Sequence, residues 1–138
     1  MCWGVNRGVV LVAPKLWMVA MKHVSIENAA HYTWGEGCDG WHLVRSESLS
    51  VIRERVPPGR GEVRHLHTFA EQFFYVLSGE ASLEADGCLY TLQPGEGLHL
   101  PAGVAHQLTN RAGVDLHFLV TSTPPSHGDR VALAPCKS

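Results

Sequence analysis

From Leu49 onward the chain consists of short runs of apolar and β-branched residues, parted by Gly and Pro turns at intervals of roughly eight to twelve residues. LSVIRERV stops at Pro57-Pro58-Gly59, EVRHLH near Thr68 and QFFYVLSG at Gly79. ASLEA then meets the hairpin-like pair Asp86-Gly87, followed by CLYTL, the turn Gln93-Pro94-Gly95, GLHLP, HQLTN and VDLHFLVT. Asp-Gly and Pro-Gly fall between the runs and not inside them, where their backbone preferences suit turns. No amphipathic helix of any length is visible. Some eight or more antiparallel strands in so short a chain must close one sheet or stack two, because only then are the edges hidden and a single core shared; a barrel or jelly roll is expected.

The chain has 138 residues, enough for one domain that buries roughly two thirds of its unfolded surface. A formal charge of −2, with no run of Lys or Arg, argues against a nucleic-acid or membrane-surface partner and leaves small molecules open. Cys2, Cys38, Cys88 and Cys136 form no CxxC pair, which points to free thiols and a cytoplasmic location. Residues 1–20 resemble a secretory signal only superficially: Pro14 and Lys15 interrupt the apolar run, and no cleavage site follows. They are read as an extension ahead of a domain that begins at Met21. Residues 21–48, with Trp34 and Trp41 around GEGCDG, are expected to add one or two strands and a loop; residues 49–123 form the barrel. In the tail, residues 124–138, Pro124, Pro125, Gly128 and Pro135 predict that the last strand stops near Thr121 or Thr123 and that the tail lies on the surface.

Nine histidines are present. His23, His31, His42 and His127 lie in segments without a supporting pattern and are read as structural or exposed. His65 and His67 differ, since strand alternation projects both to one side about 7 Å apart along the chain. Two imidazoles so placed can converge on one metal ion with bonds of about 2.0–2.1 Å. His-x-His alone is a weak signal, and a third ligand is needed. His106 supplies a candidate, directly after a Pro-x-Gly turn that aims it back toward the first pair.

Together these two segments resemble the paired motifs of the cupin superfamily. The first runs Gly, five residues, His-x-His, three or four residues, Glu, six residues, Gly, and Gly59, His65, His67 and Gly79 fall on it. The second runs Gly, five residues, Pro-x-Gly, two residues, His, three residues, Asn, and Gly95, Pro101, Gly103, His106 and Asn110 match it without a gap. The resemblance spans about Leu49 to Thr121. It implies an all-β, double-stranded β-helix or jelly-roll barrel that holds one divalent transition metal ion on His65, His67 and His106. One position departs from the pattern: counting back from Gly79 puts Gln72, not Glu71, where cupins usually place a ligand carboxylate. Using Glu71 would turn Phe73, Tyr75 and Leu77 inward in place of Phe74 and Val76. The register favours Gln72, with Glu71 as the alternative.

A Gln oxygen is neutral, so a three-His, one-Gln site leaves a divalent ion its full charge and makes it a stronger Lewis acid. Zn, Ni, Fe, Co and Cu all suit three imidazoles. The resemblance implies a metal-dependent enzyme acting on a small oxygen-rich substrate, of isomerase or tautomerase, cyclase or dioxygenase type; the alternative is a non-catalytic small-ligand-binding or sensor protein. Phe74, Val76 and Leu108 are the expected pocket lining, and Asn110 is expected to close a turn. Glu71, Tyr75, His99, His117, Arg53 and Arg55 are weaker candidates for supporting or acid–base roles, with Arg53 and Arg55 read as exterior. An outward stripe of Phe73, Tyr75 and Leu77 predicts a homodimer.

Overall fold

Alternation along each strand decides which side chains are enclosed. In β5 (Glu71–Ser78), Gln72, Phe74 and Val76 are buried, whereas Glu71, Phe73 and Tyr75 are exposed. In β10 (Leu116–Thr123), Leu116, Phe118, Val120 and Ser122 take the buried positions. A strand with one apolar face is stable only against a second such face, and the computed structural model, which describes residues 21–137, supplies it with two stacked antiparallel sheets.

Eleven strands are present among the described residues. The others are β1 (Ala30–Trp34), β2 (Cys38–Arg45), β3 (Ser50–Val56), β4 (His65–His67), β6 (Ala81–Ala85), β7 (Cys88–Leu92), β8 (Gly97–Leu100), β9 (His106–Thr109) and β11 (Arg130–Ala132). One sheet runs β1-β2-β3-β10-β5-β8, and the other β11-β4-β9-β6-β7. Among the described residues no helix is long and apolar enough to cross a membrane. Residues 1–20, and the extension read there, lie outside the described residues.

Two turns fix the register on which the site depends. Asp86 and Gly87 both adopt positive φ, +50° and +85°, the geometry of a two-residue hairpin between β6 and β7. Gly79 ends β5 at φ +81°, and a Cβ there would stand 3.0 Å from the Leu116 Cα and closer still to the Asp115 carbonyl oxygen. Only glycine fits, which locks the end of β5 against the start of β10.

Between the sheets, Phe118, Leu83, Leu108, Leu116, Val56 and Val76 are almost fully enclosed. Phe74 stacks on Phe118 with ring centres 5.8 Å apart and stands edge-on to His106 at the same 5.8 Å, so the core continues into the histidine cluster. Two features differ from the sequence expectation. The strand expected over EVRHLH shortens to His65–His67: Gly61 bridges Thr109 and the Glu62 N–H donates to the Leu108 carbonyl at 3.0 Å, one residue out of register with the His65–His106 pair of β4 and β9. The last strand is also not β10: after Pro124 and Pro125 the chain returns as β11, pairing Arg130 with His67 and Ala132 with His65. Three residues without apolar periodicity gave no sign of this strand, since its partners and not its own composition define it.

Candidate metal centre

Both sheets contribute to one cluster. β4 carries His65 and His67, β9 lies beside it with His65 opposite His106, and β5 in the facing sheet carries Gln72. The three imidazoles are each less than a tenth exposed, and one nitrogen from each lies within 4.8 Å of the others. The ring centres of His65 and His106 are 4.4 Å apart, and those of His65 and His67 4.9 Å.

Hydrogen bonding settles which nitrogens are free. The Nδ1 of His65 lies 2.7 Å from the Val63 carbonyl, that of His106 2.9 Å from the Val104 carbonyl, and that of His67 2.7 Å from Asp129 Oδ1. A carbonyl or a carboxylate only accepts, so each Nδ1 carries the proton and each Nε2 keeps a lone pair. Burial favours the neutral form of two of the rings: it pushes His65 down to about 3 and lowers His106 as well, with the neighbouring imidazoles and Arg130 adding to the effect. The His106 Nε2 is buried without a hydrogen-bond partner among the described residues. Gln72 repeats the pattern. Its Nε2 donates to Ser122 Oγ at 3.0 Å, whereas its Oε1 is buried and unpartnered. An unpaired buried acceptor ordinarily costs about 1–3 kcal/mol, and these two have the donor chemistry of a metal site. The residues present fit the divalent ion that the two motifs imply.

Around the cluster opens a cavity of about 410 Å³, lined in part by His65, His67, Gln72 and Phe74. Val76 and Leu108 do not line it; they face inward but are sealed in the core, each 1% exposed. Glu71 points away and meets His99 at 3.0 Å on the outer surface. Tyr75 is outward too, while Arg53 lies 3.4 Å from His117 and Arg55 bonds Asp39 at 2.7 Å, all on the outer side of the six-stranded sheet. Asn110 closes its turn, donating to the Val56 and Val114 carbonyls and accepting from the Ala112 N–H at 3.0 Å.

Several cavity residues escaped the sequence reading. His42 and His127, read there as structural or exposed, both line the cavity because β2 and the loop before β11 wall its mouth. Asp129 orients His67 and also accepts the Phe69 and Ala70 N–H groups at 3.0 Å. Two carboxylates, Glu54 on β3 and Glu62 before β4, project inward. Burial pushes Glu54 up to about 7 against the opposing Tyr32 hydrogen bond and Arg130 charge. Burial and then the Glu54 charge push Glu62 up to about 8, and its Oε2 lies 3.9 Å from the His65 Nε2. Strand alternation was a usable signal for Glu54: with Arg53 and Arg55 outside, the residue between them faces in.

Comparison with known proteins accords with this geometry. A family model described as a Cupin domain matches residues 52–122. The protein SchB of Streptomyces halstedii is 33% identical over 71 residues, which are 51% of this chain and 49% of that protein. The polyketide synthase CurC of Streptomyces cyaneus is 29% identical over 94 residues, 65% of this chain and 58% of its own length. The chain thus spans about half the length of these curated relatives. Among solved structures, the polyketide cyclase RemF of Streptomyces resistomycificus superposes with a TM-score of 0.70 at 21% identity, covering 84% of this chain and 89% of that one, a likeness of fold.

Proposed function

The chain belongs to the cupin family, with its all-β double-stranded β-helix fold, and on that premise we propose that it is a metal-dependent enzyme acting on a small oxygen-rich substrate. His65, His67, His106 and Gln72 would hold one divalent ion. The observation that carries this is the set of inward acceptors: three Nε2 lone pairs left by Nδ1 hydrogen bonds, that of His106 buried and unpartnered, and the orphaned Gln72 Oε1. When bound, an ion held by neutral donors keeps its full charge and polarises a substrate carbonyl, carboxylate or hydroxyl oxygen.

The chain's own residues supply the rest. Phe74, Ile52 and Val120 give the cavity apolar walls that exclude water, while Ser122 holds the Gln72 amide so that its oxygen faces the cluster. Arg45 and Arg130 set positive charge in the cavity lining, suited to an acidic substrate. Two inward carboxylates, Glu54 and Glu62, whose proton affinity is raised by their surroundings favour catalysis over simple ligand binding, since a binding site has no need of a tuned acid or base. Among the chemistries cupins support, they favour isomerisation or cyclisation, which require proton transfer.

The test is metal analysis of the purified full chain after incubation with Zn, beside Gln72→Ala and Glu71→Ala. The wild type and Glu71→Ala should each hold one ion per chain, with affinity reduced at least tenfold in Gln72→Ala. A wild type that binds none, or loss in the Glu71 variant alone, contradicts the reading.

A further inference from the structure

One row of residues crosses the first three strands of the six-stranded sheet. Tyr32 on β1 lies opposite Gly40 on β2, and Gly40 lies opposite Glu54 on β3. Side chains directly across a sheet share a face, so Tyr32 and Glu54 both point inward, separated by a position without a side chain. The Tyr32 ring occupies that gap. A Cβ built at Gly40 would clash with the phenol end of the ring, 2.5 Å from the hydroxyl oxygen and closer still to Cζ. Gly40 has no positive φ and ends no turn, so its conformational freedom explains nothing; its lack of a side chain lets Tyr32 reach across a whole strand. The hydroxyl then donates to Glu54 Oε1 at 3.2 Å.

Glu54 has no cation within 4.0 Å among the described residues, unlike the outward Arg55, which contacts two carboxylates. A half-buried carboxylate whose one hydrogen-bond donor is a neutral hydroxyl gains little stability from its surroundings. Both Tyr32 and Glu54 line the cavity that holds His65, His67 and Gln72.

We propose that Glu54 is the general base and acid of this site, with Tyr32 as its positioning residue across the Gly40 gap, and that the substrate is a carbonyl compound with a removable hydrogen on the adjacent carbon. The inference rests on the reading of the cavity as a substrate site. The Glu54 carboxylate takes the proton from that carbon; the C–H electron pair becomes a carbon–carbon π bond, and the carbonyl π pair moves onto oxygen. The protonated carboxyl then returns its proton to that same carbon and the electron pairs shift back, so no oxidant or reductant is consumed. Tyr32 keeps Oε1 engaged throughout, which leaves Oε2 for the substrate. A positioned base of this kind contributes roughly 10²–10⁴-fold to rate. Burial keeps its proton affinity close to neutral pH, where such a group works in both directions.

Pyruvate in D2O is the probe. Proton NMR follows loss of the methyl signal as its hydrogens exchange, and calorimetry on the same full-length samples gives pyruvate affinity. The samples are prepared with and without Zn, and their metal content is measured. Glu54→Gln should slow exchange at least tenfold in both preparations, with pyruvate affinity within about threefold of wild type. Tyr32→Phe and Gly40→Ala should each slow it several-fold, and Glu54→Asp should restore part of the loss. A purely structural role would move affinity or folding and not the rate alone. Wild-type protein that leaves pyruvate unexchanged, or a Glu54→Gln rate equal to wild type, overturns the proposal. Failure of the metal reading is seen separately, as protein that takes up no Zn, and the Glu54 comparison is then decided on the Zn-free samples.

Discussion

Asp129 acts on the candidate metal centre only through another residue. Its carboxylate accepts from His67 Nδ1 at 2.7 Å and from two backbone N–H groups, which hold it rigid and lower its proton affinity against the effect of burial. Such a partner fixes both the tautomer and the orientation of a ligand imidazole. Asp129→Asn, which keeps the shape and removes the charge, should weaken metal affinity by about 10–100-fold. Competition with a coloured chelator measures this, and an unchanged affinity would remove Asp129 from the centre. At this scale His65, His67 and His106 were legible because their spacing carries chemistry that few other arrangements share. Gln72 was legible through Gly79, which pins the register. Asp129 was not, since a lone acid in a Pro- and Gly-rich tail has no periodicity to mark its facing. Tyr32 was hidden for another reason: its reach depends on the empty position at Gly40, opposite it on the next strand.

Within elements, the strand pattern makes a contrast that can be measured on one strand pair. Phe118 on β10 is 1% exposed and packs against Phe74, whereas Phe73 on β5 is 42% exposed on the outer face. Phe118→Ala should cost about 3–5 kcal/mol in urea unfolding. Phe73→Ala should cost under about 1 kcal/mol, as surface changes usually do. Equal costs would mean that β5 and β10 do not present the faces described. The strands from β3 to β10 were readable because apolar alternation and turn residues agree there. β11 and the shortening of β4 were not, because three-residue strands are specified by the neighbours they pair with.

At the scale of the whole molecule, two sheets converge on one cavity, and the exposed faces decide what the chain does with its neighbours. Phe73 and Tyr75 stack with ring centres 6.2 Å apart on the outer surface, and we propose that this stripe is the face of a homodimer. Tyr75→Glu should then shift sedimentation from dimer to monomer with metal content unchanged; a wild type already monomeric at tens of micromolar would refute the pairing. On the inner faces, His65, His67 and His106 from one sheet and Gln72 from the other are proposed to meet at a single ion. X-ray absorption at the Zn edge of the loaded full chain tests it most directly. The account predicts one Zn per chain with three imidazole nitrogens and oxygen completing the set, reduced to two imidazoles in His106→Ala. A spectrum with sulfur ligands, or three imidazoles retained in His106→Ala, would contradict it.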